Sequence, residues 1–97
     1  MAHPDLKALV GGDLIPQQAS SAYRGGDEMR AIVHLRRARE GYASGTAESA
    51  VLERLEGLLL IAVQREVEGT FALERADALL DSYGLGYPGL EWLETKK

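Results

Sequence analysis

The stretch TAESAVLERLEGLLLIAVQREVE, residues 46–68, decides the fold that this 97-residue sequence predicts. Its central residues, 57–63, are all apolar or glycine. At about 100° per residue, the apolar side chains fall on two adjacent seams of a helix, which together form a face wide enough to contact two other elements. The seams consist of Val51, Leu55, Leu58 and Ala62, and of Leu52, Leu59 and Val63. We therefore predict one central hydrophobic helix over about 46–68 that buries Leu55, Leu59 and Ala62.

The other side of this helix carries polar residues. They are Glu53, Arg54, Gln64 and Glu68, and they fall opposite the apolar face. Such a pattern is typical of a water-facing strip. We expect Glu53 and Glu56 on the outer surface, as well as Asp77 and Asp81 further along the chain.

Leu60 and Ile61 lie at the two margins of the polar strip. A monomer of this size has few further helices with which to cover them, and exposed apolar side chains are typical of interfaces. We therefore hypothesise that at least one of them is buried in a homodimer. Cover by the N-terminal segment is the alternative.

Glycine and capping residues divide the rest of the chain into further helices. Two short helices are predicted before residue 25, because Gly11-Gly12-Asp13 and Gly25-Gly26-Asp27 can each end one helix and begin the next. A third helix follows over 27–43. Gly69 is expected to end the central helix, a further helix is predicted over 71–83, and LEWLE at 90–94 predicts a C-terminal helical turn. We find no alternating strand pattern, so the fold class is all-α, a single helical domain of about five helices over 1–97.

Composition restricts the function classes. The chain is 45% hydrophobic and 27% charged, which is typical of globular proteins, and it has no cysteine. Disulfides, thiol catalysis and cysteine-ligated metals are therefore excluded. The start lacks the pattern of a signal peptide, and the longest apolar run is far short of the ~20 residues that span a bilayer. We expect a cytoplasmic protein without membrane contact.

One short motif resembles a known signature. Gly25-Gly26-Asp27-Glu28-Met29 is similar to the GG(D/E)EF motif of diguanylate cyclases, in which it lies on a β-hairpin and holds nucleotide phosphates and metal. The final phenylalanine is methionine here, only 24 residues precede the motif, and a helical pattern follows it directly. We interpret these residues as a helix end and a helix start.

No set of residues has the spacing of a catalytic or metal site. His3 and His34 are the only histidines, and His34 has no histidine or carboxylate three or four residues away. Serines and carboxylates show no Ser–His–Asp or Glu-x-x-His arrangement. We predict no cofactor, no metal and no catalytic residue; an enzyme with a site built from scattered carboxylates is kept as an alternative.

The feature that points to a function is the arginine-rich helix 27–43. RAIVHLRRAR, residues 30–39, contains four of the eleven lysines and arginines. Opposite its inner stripe, the helix presents the candidate partner-binding residues Met29, Arg30, Val33, Arg36 and Arg37. Arginine and methionine beside apolar area are favoured in protein interfaces. We predict a non-enzymatic protein-interaction module, such as an adaptor, inhibitor or chaperone-like binder, for another protein.

Two other interpretations of the arginine helix stay open. It can serve a nucleic-acid-associated regulator, although such proteins are usually more basic than this chain and spread their cations over several elements. It can also balance the charge of acidic helices packed beside it.

Overall fold

Residues 14–94 are described by a computed structural model and contain five α-helices and no β-strand. The helices are α1 (Gln17–Arg24), α2 (Glu28–Glu40), α3 (Ala47–Ala62), α4 (Glu66–Ser82) and α5 (Glu91–Glu94). They form a small all-α bundle, which confirms the predicted fold class. The first predicted helix and Gly11-Gly12-Asp13 lie outside the described residues.

The bundle is assembled around α3. This helix packs against α2 on one side and most extensively against α4 on the other, while α1 packs on α2 and on α5. Leu55 and Leu59 are fully buried, as predicted. None of the helices within 14–94 is long enough and apolar enough to cross a bilayer.

Asp27 and Thr46 cap the first turns of α2 and α3. The Asp27 carboxylate accepts a hydrogen bond from the Arg30 backbone N–H at 3.0 Å. The Thr46 hydroxyl accepts one from the Ser49 N–H at 3.2 Å. Each cap satisfies a backbone donor that the first helical turn leaves without a partner, so these two boundaries follow from local chemistry.

The predicted central helix is too long, because α3 ends at Ala62 rather than at Glu68. Gln64 has a positive φ of 67°. The Arg65 N–H donates to the Leu60 carbonyl at 2.8 Å, and the Gln64 N–H donates to the Ile61 carbonyl at 3.0 Å. This is the hydrogen-bond pattern of a Schellman ending, usually made with glycine at the left-handed position. Since glutamine is a good helix former, the residue type did not signal the turn.

Ala62 is exposed, contrary to the prediction, because the helix reverses beside it and α4 starts at Glu66. The reversal turns one predicted long helix into a hairpin of two. Packing of α3 against α4 is the largest contact in the bundle, and burial of apolar surface there offsets the cost of a left-handed glutamine.

Gly69 does not end a helix; it lies in the first turn of α4, at a close approach between the two helices of the hairpin. A Cβ at position 69 would lie 2.6 Å from the Gly57 carbonyl oxygen and 2.7 Å from Cγ1 of Ile61. A Cβ at position 57 would lie 3.0 Å from the Gly69 carbonyl oxygen. The paired glycines are therefore required by the close approach of two backbones.

The segment after α4 is held to the bundle by Arg54. Its Nε donates to the Pro88 carbonyl at 2.7 Å, its Nη1 is 2.6 Å from an Asp77 oxygen, and its guanidinium lies over the Tyr87 ring at 5.1 Å from the centroid. The helix that follows, α5, buries Leu93 completely. The predicted C-terminal helical turn is thereby confirmed, and it packs on α1.

Candidate functional site

The outer side of α2 carries an exposed apolar strip flanked by arginines. Met29 and Val33 are 44% and 43% exposed, and Arg30 and Arg37 are exposed beside them. We name these four residues the α2 strip. They stay exposed because the opposite side of the same helix, with Ala31, Ile32 and Leu35, is buried against the bundle.

Arg36 does not belong to this strip, although the sequence placed it there. Its Nε donates to the Glu56 carboxylate at 2.6 Å, and its Nη2 lies 3.8 Å from a Glu68 oxygen. Helical spacing turns Arg36 towards α3, and it supports the packing of α2 on that helix.

Arg36 is part of an ion-pair layer between three helices. Arg39 donates to Glu56 at 2.9 Å and lies 3.9 Å from Glu53, and Arg75 of α4 donates to Glu53 at 2.9 Å. The layer therefore consists of Glu53 and Glu56 of α3, Arg36 and Arg39 of α2, and Arg75 of α4. Four of the ion pairs in residues 14–94 belong to it and connect different helices.

The prediction that Glu53 and Glu56 face water is wrong. They are only 7% and 4% exposed, because α2 and α4 cover the polar side of α3 as well as its apolar side. A buried carboxylate is costly unless it is paired and hydrogen-bonded, and the arginines meet that requirement. The sequence contained the signal: Glu53 and Glu56 are three residues apart on one helix, as are Arg36 and Arg39 on its neighbour. The charge-balancing interpretation holds for these two arginines.

Leu60 is only 2% exposed and belongs to the core of the single chain. Ile61 is half-buried, and its Cγ1 would lie 2.7 Å from a Cβ at position 69 of α4. With α2 and α4 both beside α3, no open margin is left at Leu60. Burial within one chain removes the reason for placing Leu60 in a homodimer interface.

Arg36 and Arg37 are adjacent on α2, so variants of the two test whether Arg36 belongs to the ion-pair layer and Arg37 to the exposed strip. Arg36→Gln should lower the free energy of unfolding by about 1–2 kcal/mol, since it removes a charged hydrogen bond from buried Glu56. Arg36 is 41% exposed, which keeps the loss below that of a fully buried pair. Arg37→Gln should change it by less than about 0.5 kcal/mol, because Arg37 is at the surface. Urea unfolding of both variants measures the difference; equal losses would contradict the assignment of Arg36 to the layer.

A second exposed apolar strip lies on α4, where the sequence did not indicate one. Val67 and Phe71 are 71% and 56% exposed. Glu74 and Ala78 are also exposed and fall on the same side at about 100° per residue. We name Val67, Phe71, Glu74 and Ala78 the α4 strip. It was missed because the central helix was predicted to continue through Glu68, which placed Val67 and Phe71 on different helices.

An open depression of about 420 Å³ lies where α2 leads into α3. Its lining is polar and consists of Arg36, Arg39, Glu40, Tyr42, Ser44 and Ser49. Both arginines already contact Glu56 from there, and Glu40 adds a negative charge. Within residues 14–94, no three histidine, aspartate or glutamate side chains are grouped as a metal site would require.

Two tyrosines, Tyr23 and Tyr87, have pKa values above the ordinary value of tyrosine. Burial, followed by the nearby charges of Glu94 and Glu28 and a hydrogen bond to Glu94, raises the pKa of Tyr23. A hydrogen bond from its hydroxyl to Asp81 is the main cause that raises the pKa of Tyr87. Both hydroxyls therefore remain protonated at neutral pH, and that of Tyr87 donates to the Asp81 carboxylate of α4.

In comparisons with known proteins, no family model matches the chain, and neither a curated protein nor a solved structure does. The interpretation of function therefore depends on the two strips and the ion-pair layer.

Proposed function

We propose that this protein is a small, non-enzymatic interaction module that binds another protein through the α2 strip. The observation that carries the proposal is the exposure of Met29 and Val33, 44% and 43%, beside the exposed Arg30 and Arg37. Apolar area provides binding energy when water leaves it, and the guanidinium groups provide directional hydrogen bonds to acidic or carbonyl groups of a partner. An adaptor, an inhibitor or a chaperone-like binder can use such a surface.

The ion-pair layer supports a protein partner over a nucleic acid. Arg36, Arg39 and Arg75 contact carboxylates of α3, and Arg54 contacts Asp77. These cations are neutralised within the chain, whereas a nucleic-acid surface needs several uncompensated cations to displace counterions from the phosphates. The net charge of −4 is also unfavourable for phosphate binding.

The same layer supports a non-enzymatic role. Its two buried carboxylates, Glu53 and Glu56, each contact arginines from neighbouring helices and so serve packing. We also propose a cytoplasmic location, since small secreted domains are usually rich in disulfides and this chain has no cysteine.

Affinity capture with paired variants tests the proposal. We expect the wild-type protein to retain a partner from a lysate of its source cells, and Met29→Ser/Val33→Ser and Arg30→Gln/Arg37→Gln each to lose it. Tyr42→Ser is the matched control, because Tyr42 is 39% exposed and lies outside the strip. All variants should keep the wild-type melting temperature to within a few degrees, since none of these side chains is buried.

The outcomes separate the function classes. Loss of capture in the strip variants alone supports a protein partner. Capture that persists in both strip variants would contradict the proposal. Binding of single-stranded or duplex nucleic acid that weakens steeply with salt, with a slope reduced in Arg30→Gln/Arg37→Gln, would instead establish the nucleic-acid alternative.

A further inference from the structure

The α2 and α4 strips match each other in the placement of apolar residues and in charge. Each has apolar side chains along its middle, Met29 and Val33 on α2, and Val67 and Phe71 on α4. At about 100° per residue, Arg30 and Arg37 form the margin of the α2 strip that points away from the ion-pair layer. Exposed carboxylates form the corresponding margin on α4, and these are Glu74 and Asp81.

The charged margins also match in spacing. Arg30 and Arg37 are seven residues apart on α2, and Glu74 and Asp81 are seven residues apart on α4. Seven residues of α-helix correspond to about 10.5 Å along the axis. Two helices laid side by side can therefore place both arginines opposite both carboxylates while their apolar middles are in contact.

The two strips lie on either side of one ion-pair layer. Arg36 of α2 reaches Glu68 of α4 at 3.8 Å, and Arg39 of α2 and Arg75 of α4 both contact Glu53. α2 and α4 are therefore neighbours across this layer. A twofold axis that passes between them would place α2 of the first copy on α4 of the second, and α4 of the first copy on α2 of the second. Twofold symmetry is the commonest arrangement of homo-oligomers and requires a self-complementary surface of this kind.

We infer that the partner of the α2 strip is the α4 strip of a second copy of this chain. The inference rests on the proposed function, because it names the occupant of the same surface. The interface contains apolar contact from Val67 and Phe71 to Met29 and Val33, and ion pairs from Arg30 and Arg37 to Glu74 and Asp81. Pairing α2 with α2, or α4 with α4, would bring like charges together and lower the binding free energy. The charged residues therefore favour the pairing of α2 with α4.

Sedimentation velocity from micromolar to millimolar protein, at low and high salt, tests the association. We expect a monomer–dimer equilibrium in the wild type that shifts towards monomer as salt increases. Phe71→Ser should give monomer at every concentration with an unchanged melting temperature, because Phe71 is 56% exposed. The matched control Tyr42→Ser should leave the equilibrium unchanged.

A charge exchange identifies the pairing of the helices. Arg30→Glu/Arg37→Glu brings acidic α2 against acidic α4, and Glu74→Arg/Asp81→Arg brings basic against basic, so each variant alone should be monomeric. An equimolar mixture of the two should form a mixed dimer, because both of its α2–α4 contacts again join opposite charges. Tyr87→Phe should retain the dimer, which shows that loss of the Tyr87–Asp81 hydrogen bond is not the cause of the effect.

Two results would overturn this inference. One is a wild type that stays monomeric at every protein and salt concentration. The other is a wild type that dimerises although Phe71→Ser still dimerises, or although the mixture of the two charge-exchanged variants forms no mixed dimer. If the wild type is monomeric but capture of a different protein still depends on Met29 and Val33, the second copy is wrong and the proposed function stands. If variants of the α2 strip change neither dimerisation nor capture of another protein, both this inference and the proposed function are wrong.

Discussion

Leu59→Ala should lower the free energy of unfolding by about 2–5 kcal/mol, through lost burial and the cavity left behind. Leu59 is fully buried in the last turn of α3, the helix around which α2 and α4 pack, and it belongs to the hydrophobic core. In a domain of this size, each kcal/mol corresponds to about 4–8 °C in melting temperature. The variant should therefore melt about 8–40 °C below the wild type in thermal unfolding followed by circular dichroism.

Leu58→Ala is the matched control for this change. It removes the same atoms from the adjacent residue, but Leu58 is only partly buried, and a smaller decrease is expected. A decrease of only one or two degrees in Leu59→Ala would show that α3 is not the centre of the bundle.

Gly69→Leu should destabilise the protein by about 3 kcal/mol or more, at or above the upper end of the usual cost of overpacking. Even a Cβ at this position would lie 2.6 Å from the Gly57 carbonyl oxygen and 3.0 Å from the Ile61 backbone nitrogen. Neither atom can move without separating α3 from α4. The contact with Cγ1 of Ile61 adds to the strain. Urea unfolding measures the loss of stability.

Two controls separate this clash from the backbone properties of glycine. Gly69→Ala should also be destabilising, despite the higher helix propensity of alanine, because its Cβ already meets the Gly57 backbone. Gly86→Ala should have little effect, since a Cβ there meets nothing within 4 Å. A stable Gly69→Leu variant would contradict the close approach of the two helices.

The sequence by itself determined the elements whose signals are local. Asp27 and Thr46 cap their helices because their side chains satisfy backbone donors within the same turn. Gly84, the residue after the predicted helix 71–83, adopts the left-handed conformation that ends α4. The apolar spacing of α2 placed Ala31 and Leu35 inside and left Met29 and Val33 outside, so most of the α2 strip followed from periodicity.

The tertiary structure decided the end of α3 and the role of Gly69. Gln64 adopts a conformation that its residue type disfavours, and only the packing of α3 against α4 offsets that cost. Gly69 can equally end a helix or admit a close neighbour, and the approach of Gly57 selects the second role. Consequently the α4 strip, which depends on where α4 begins, was not predictable from local residues.

The tertiary structure also decided which charges are part of the bundle and which remain at its surface. Periodicity places Glu56 on the polar side of α3, but it contains no information on whether another helix covers that side. Arg36 and Arg37 are adjacent in sequence and chemically identical, yet only Arg36 reaches Glu56. The physical reason is that burial of a charge depends on a partner distant in the chain, here twenty residues away, whereas helix capping and apolar spacing act within a few residues.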